Sequence, residues 1–136
     1  MIKTETTLRV RYGETDQMGF VYYGVYAQYY EVGRVEAMRS LGFSYKEMEE
    51  NGILMPVINL NINYKKPALY DDEVRIVTTV NVMPSVRITF EYECFNQKND
   101  LLNTGSVTLV FLDKGRNKPT IPPDWFLEAF EKRFGK

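Results

Sequence analysis

From Ile58 to Leu112 the chain passes through four stretches in which apolar and polar residues alternate, and only one stretch before them has the spacing of a long helix. Alternation sorts side chains onto the two faces of a strand. Ile58, Leu60, Ile62 and Tyr64 alternate with Asn59, Asn61, Asn63 and Lys65, and Pro67 ends the run. Val74 to Val82 forms the next strand, ended by Met83-Pro84. Val86, Ile88, Phe90, Tyr92 and Cys94 share one face of the third, and Leu101 to Leu112 makes the fourth after a polar turn from Asn96 to Asp100. Short connections of this kind predict antiparallel pairing. An earlier strand is expected where Leu8, Val10 and Tyr12 alternate with Arg9 and Arg11.

The helical stretch runs from Tyr23 to Leu41, where Tyr23, Tyr26, Ala27, Tyr30, Arg34, Ala37, Met38 and Leu41 recur in steps of three and four and Gly42 provides a stop. Gln28, Glu36 and Arg39 are expected to face water. Gly33 inside this helix costs about 1 kcal/mol against Ala, which a close approach of helix to strand would explain. Ser44-Tyr45-Lys46-Glu47 has capping-box spacing and predicts a short helix from Tyr45 to Asn51, closed by Gly52. Asp113 to Pro123 reads as a loop, and Asp124 as the cap of a last helix carrying Trp125, Leu127, Phe130 and Phe134. A sheet of antiparallel strands with one long apolar helix to cover it is an α+β layer fold, the sheet wrapped around a central helix.

The 136 residues suit one domain, 1–136, which buries enough surface to need no disulfide or metal. A net charge of -1 argues against a nucleic-acid binder. The polar start, Met1 to Thr7, does not read as a secretory signal, and no apolar run approaches the roughly 18 residues of a membrane span. A cytoplasmic location is the expectation. The chain has no histidine, which removes the commonest general base and metal ligand and with them every imidazole-based triad. Its one cysteine, Cys94, shares parity with strand apolar residues and reads as a core thiol. Asp71, Asp72 and Glu73 read as a solvated turn rather than a metal site, and Lys114, Arg116 and Lys118 as a solvated loop with phosphate contact the equal alternative. Glu31 and Glu36 are expected to be exposed or paired with Arg34 or Arg39. Six of the ten tyrosines fall between Tyr12 and Tyr30, a crowding that suits a surface apolar at one end and wet at the other, such as a pocket or subunit interface.

Asp16 is the sharpest candidate for chemistry. It sits in a loop between a strand and the start of the longest helix, with Gly19 after it. Acids in such loops are commonly turn-formers or caps. The setting also fits a reaction. A helix N-terminus offers unpaired N–H groups and the positive end of a dipole, which stabilise an oxyanion. A neighbouring carboxylate can serve as general base or nucleophile. Together they suffice to hydrolyse an activated ester such as a thioester without histidine.

The run from Val10 to Tyr26, with Asp16-Gln17-Met18-Gly19 at its centre, continuing through Tyr30-Glu31-Val32-Gly33-Arg34, resembles the 4-hydroxybenzoyl-CoA thioesterase family of hotdog-fold proteins, including its Tol-Pal-associated acyl-CoA thioesterases. The resemblance extends through Tyr64-Lys65-Lys66-Pro67-Ala68, Asp71-Asp72, Thr104-Gly105, Phe111-Leu112-Asp113 and Lys118-Pro119 with Ile121-Pro122, nearly the whole chain. It implies a hotdog fold and hydrolysis of an acyl-CoA thioester to free acid and CoA. It implies Asp16 as the catalytic carboxylate and the Tyr23 backbone N–H as the donor that polarises the carbonyl; many relatives carry histidine at the position of Tyr23, and others tyrosine. Gly19, Val21, Tyr22 and Tyr26 are expected to bind or shape the acyl group, and Lys65, Lys66 and Arg87 to meet CoA phosphates, with solvated charge the equal alternative for the three cations. No metal or cofactor is expected. A homodimer or homotetramer with sites at the subunit boundary is implied. The alternatives are an acyl carrier protein thioesterase and a non-catalytic acyl-CoA-binding module that kept the fold.

Overall fold

A computed structural model describes residues 1–134; Gly135 and Lys136, the end of the expected domain, lie outside the described residues. The elements run β1 (Ile2–Arg9), a 3-10 turn (Tyr12–Glu14), α1 (Val25–Ser40), α2 (Tyr45–Glu50), β2 (Ile53–Leu54), β3 (Val57–Tyr64), β4 (Glu73–Val80), β5 (Arg87–Phe95), β6 (Leu101–Val110), β7 (Leu112–Asp113), β8 (Lys118–Pro119) and α3 (Asp124–Phe134). Five strands form one sheet in the order β1-β4-β5-β6-β3, every neighbouring pair antiparallel. The short strands β2, β7 and β8 make a second sheet.

The expected α+β arrangement holds. Ile88, Phe90, Tyr92 and Cys94 of β5 are buried on one face, as the alternation requires. Helix α1 lies across that face with Tyr26, Tyr29, Tyr30, Gly33, Arg34, Ala37 and Met38 buried. Gly33 is the point of closest approach: a Cβ there would stand 2.5 Å from Thr78 Oγ1 and 2.9 Å from Ile76 Cγ2, both on β4. Gly105 on β6 makes the reciprocal allowance, since a Cβ would meet the Tyr30 hydroxyl at 2.6 Å. The capping serine is also as expected, with Ser44 Oγ accepting the Glu47 N–H at 3.3 Å.

Several expectations are corrected. The first strand begins at Ile2, not Leu8, because Ile2, Thr4, Thr6 and Leu8 already alternate with Lys3, Glu5, Thr7 and Arg9, and β-branched threonines serve as strand residues. Tyr12 lies beyond it in the 3-10 turn and is exposed. Tyr23 precedes α1 and is 64% exposed, so it is no part of the helix's buried face, whereas Tyr29 is. The connection from β3 to β4 is not a hairpin: β3 pairs with β6 and β4 with β1, so Lys65 to Asp72 passes between non-adjacent strands. The stretch read as one strand to Leu112 leaves the main sheet after Val110, and its end pairs with β2 and β8. In α3, Phe126 and Phe130 are buried while Trp125 is exposed. Strand β3 has no covered apolar face: Val57, Ile58, Leu60 and Tyr64 are all exposed in the single chain, and only Ile62 is half-buried. An edge position accounts for it, since among the described residues no strand lies beyond β3.

Candidate active site

The loop between β1 and α1 folds back on itself. Thr15 and Val21 form an antiparallel bridge, the Asp16 N–H donates to the Phe20 carbonyl at 2.8 Å, and the Gly19 N–H donates to the Asp16 carbonyl at 3.0 Å. Gly19 has φ +80°, a conformation that disfavours side chains with a Cβ. The loop is then fastened to the connection after β3: the Val21 N–H donates to the Ala68 carbonyl at 2.9 Å, and Phe20 bridges Leu69.

Within this frame the two oxygens of Asp16 have different surroundings. Oδ1 accepts the Met18 N–H at 2.9 Å and the Phe20 N–H at 3.3 Å. Among the described residues, Oδ2 has no hydrogen-bond partner. Asp16 is therefore both the turn-former that its position suggests and a carboxylate with one oxygen to spare.

Asp16 lines a cleft of about 280 Å³ with Met18, Phe20, Val21, Tyr23, Tyr26, Tyr64, Lys65, Lys66 and Pro67. Tyr26 comes from the first turn of α1; burial pushes its hydroxyl pKa up, and that oxygen accepts the Ala68 N–H at 3.1 Å. Tyr64 ends β3, packs edge-on against Tyr26 at 5.7 Å and donates its hydroxyl to the Tyr23 carbonyl at 2.9 Å. That bond uses the Tyr23 carbonyl, while the Tyr23 N–H has no acceptor among the described residues. Asp16, with one unbonded carboxylate oxygen, and Tyr23, with an unbonded N–H, thus line one aromatic cleft, and a base or nucleophile together with a hydrogen-bond donor is what attack on a carbonyl requires.

The sequence-derived residues separate here. Asp16, Val21, Tyr23, Tyr26, Lys65 and Lys66 come together around the cleft. Gly19 shapes the loop from behind. Tyr22 is not on the cleft wall; its ring lies against Tyr23 at 4.5 Å. Arg87 opens β5 and lines a different depression with Asn81, Val82, Met83 and Ser85, so within one chain it does not meet the other candidates. Lys66 is already engaged, its ammonium 2.7 Å from Asp100, and Lys65 has no ion-pair partner among the described residues. Met18, Phe20, Tyr64 and Pro67 belong to the cleft without having been singled out from the sequence. The parity of Tyr64 as the last apolar residue of β3 is the one signal that could have found it. Cys94 takes no part: it is fully buried, and burial pushes its thiol pKa up to about 12.

The model of the family described as the thioesterase superfamily matches residues 18–103. The chain belongs to that superfamily. The thioesterase match begins two residues after Asp16 and takes in the rest of that loop, α1 and the chain from α2 to the start of β6. Two curated relatives extend over most of the chain: YneP of Bacillus subtilis is 36% identical over 129 residues, with 92% of this chain and 93% of that protein covered. The acyl-CoA thioester hydrolase YbgC of Escherichia coli is 30% identical over 125 residues, with the same coverage. The structure of a DHNA-CoA thioesterase from Staphylococcus aureus superposes with a TM-score of 0.92 at 41% identity, over 99% of this chain and 93% of that one. The thioesterase identity and the hotdog fold expected from the Asp16-x-x-Gly19 loop and its aromatic helix start both hold.

Proposed function

We propose that this thioesterase hydrolyses acyl-CoA, adding water across the C–S bond to release a carboxylic acid and the free thiol of CoA. The observation that carries the reading is the division of labour at Asp16: two backbone N–H groups hold Oδ1, Oδ2 is left over, and the same cleft is lined by Tyr23, whose N–H has no acceptor among the described residues. Oδ2 either takes a proton from the attacking water or attacks the carbonyl itself. Both routes use the same oxygen, and in both the Tyr23 N–H receives the developing oxyanion. Val21, Tyr23, Tyr26 and Tyr64 bound the acyl group, and their rings favour an aromatic acyl chain, in keeping with the DHNA-CoA thioesterase of Staphylococcus aureus. Lys65 and Lys66 at the same cleft supply positive charge for CoA phosphates.

The functional unit we propose is a homodimer in the cytoplasm. The exposed Val57, Ile58 and Leu60 on an unpaired edge strand support the dimer, because such edges are normally covered. A sole cysteine held as a buried free thiol is in keeping with a reducing compartment.

The test is release of free thiol from a panel of aromatic and aliphatic acyl-CoAs and acyl carrier protein thioesters by the purified protein and by Asp16→Asn. An amide oxygen can accept the same two N–H groups, so the loop is retained while the base or nucleophile is lost. The expected loss in kcat is about 10²- to 10⁴-fold. Tyr23→Phe, which keeps the backbone N–H, should lose far less. A folded Asp16→Asn protein with wild-type turnover would sink the mechanism, and tight binding of acyl-CoA by the wild type without release would make it a binding module.

A further inference from the structure

Glu14 lies on the same loop, two residues before Asp16, and its side chain is only 12% exposed. Both carboxylate oxygens are fully used. Oε1 accepts the Arg11 N–H and the Tyr29 hydroxyl, each at 2.8 Å. Oε2 accepts Arg11 Nη2 at 3.1 Å and Nε at 3.3 Å. The Glu14 carbonyl accepts the Tyr22 N–H at 2.9 Å. One residue thereby joins Arg11 just past β1, both arms of the Asp16 loop and helix α1. Burial by itself would raise the Glu14 carboxyl, yet the Arg11 N–H, the Tyr29 hydroxyl and the Arg11 guanidinium outweigh it and hold the group below its ordinary value. The bond from Tyr29 is thus O–H to carboxylate, the charge-assisted kind that is short and directional.

Packing alone does not require this arrangement. Tyr29 is 2% exposed and its ring sits edge-on to Tyr26 at 5.6 Å, a contact that phenylalanine would make equally well. Removing a carboxylate from water is costly unless its partners are well placed. What the pair adds is a fixed relation between two segments that carry different halves of the chemistry. Asp16 sits on the loop, and the Tyr23 N–H belongs to the approach to α1. Among the described residues, the Tyr29–Glu14 bond is the side-chain hydrogen bond that joins the side of the loop leading into Asp16 to the helix.

We propose that Glu14 and Tyr29 are positioning residues for hydrolysis: the Tyr29 hydroxyl clamps Glu14 to α1 and so holds Asp16 Oδ2 in register with the Tyr23 N–H. The proposal rests on Asp16 being the catalytic carboxylate. Neither clamp residue lines the cleft, so the clamp acts on turnover and not on substrate affinity.

The experiment measures kcat and KM for an acyl-CoA substrate, with Tm, in Tyr29→Phe, Glu14→Gln, Glu14→Ala, Asp16→Asn and Asp16→Asn/Tyr29→Phe. Tyr29→Phe should lower kcat by about ten- to a hundredfold, the scale of a small misplacement of a reacting group, with KM nearly unchanged and Tm lowered by only a few degrees for the lost hydrogen bond. Glu14→Gln keeps an oxygen for the Arg11 N–H and the Tyr29 hydroxyl, so it should be substantially more active than Glu14→Ala. In the Asp16→Asn background, removing the hydroxyl should cause no further loss, because residues acting as one unit are not additive. Wild-type kcat in Tyr29→Phe overturns the clamp while a dead Asp16→Asn leaves the catalytic reading intact. An equal fractional loss from Tyr29→Phe in both backgrounds also overturns it, since the hydroxyl then acts on the fold at large. An active Asp16→Asn overturns both readings together.

Discussion

Replacing Gly33 by alanine tests the closest approach between α1 and the sheet. In an exposed helix the change would add about 1 kcal/mol of stability through helix propensity. Here the new Cβ would stand 2.5 Å from Thr78 Oγ1, 2.9 Å from Ile76 Cγ2 and 3.3 Å from Tyr92 Cε1. The first two contacts lie well inside van der Waals separation, and neither atom can swing away. Both belong to β-branched side chains with restricted χ1, and both residues are buried in β4, between β1 and β5. Helix and strand must therefore move apart. Overpacking of this kind costs about 1–3 kcal/mol, occasionally more, and the severity of the two contacts argues for the upper part of that range. After the gain in propensity a net loss of about 1–2 kcal/mol remains, or roughly 3–8 °C in Tm for a chain of this size. Thermal unfolding followed by circular dichroism reads it directly. Thr78→Ala in the same chain removes the nearest atom, which is also a buried hydroxyl without a partner, and should recover part of the loss; contact with Ile76 limits the recovery. A Tm equal to or above wild type in Gly33→Ala would refute the close approach, and additive effects of the two substitutions would refute its assignment to Thr78.

Two further outcomes follow from burial and exposure. Burial raises the Cys94 thiol to about 12 from an ordinary 9.0, and it raises the hydroxyls of Tyr26, Tyr29, Tyr30 and Tyr92 above their ordinary 10.0. These groups ionise first in the unfolded chain, so the stability they contribute is complete below pH 9 and declines as pH rises from there through their folded values; Tm should hold to pH 8.5 and then fall, and a flat Tm to pH 11 would contradict it. On the exposed edge, Leu60→Lys should dissociate the proposed dimer into 15.9 kDa chains by light scattering, whereas a wild-type monomer that still cleaves thioesters would remove the dimer from the functional unit.

What the sequence made legible depended on where each contact partner lay. The strand from Val86 to Cys94 could be read because one face is covered along its length. So could the reason for Gly33, because a helix glycine with no cap role has few other uses. The start of β1 was hidden by threonines, which a polar-apolar alphabet counts as polar although their Cβ branching suits a strand. The pairing of β3 with β6 and of β4 with β1 was invisible, since alternation specifies faces and not neighbours. The exposed apolar side of β3 is a case where the pattern was right although nothing among the described residues covers that face.

At the site, Asp16 stood out by its spacing from Gly19 and from the helix start, which are local properties. Glu14 did not, because its role depends on Tyr29, a turn into the helix, and nothing in the intervening residues announces the bond. The tyrosines of α1 explain more once their hydroxyls are followed. Tyr26 accepts the N–H of Ala68, next to Pro67 of the cleft, Tyr29 donates to Glu14 on the Asp16 loop, and Tyr30 donates to Asn103 on β6 at 2.6 Å. The crowding suggested rings with wet ends, but Tyr26, Tyr29 and Tyr30 are each at most 2% exposed, and their ends are bonded instead. Phenylalanine at these positions would fill the same space and leave the helix free to shift against both loops and the sheet. A hydrogen bond contributes about 0.5–1.5 kcal/mol, and more when one partner is charged. Three of them on one face of the helix fix α1 against the sheet, against the connection after β3 and against the loop that carries the carboxylate. In a chain without histidine, where the proposed chemistry falls to one carboxylate oxygen and one backbone N–H, that fixed relation is what the tyrosines supply.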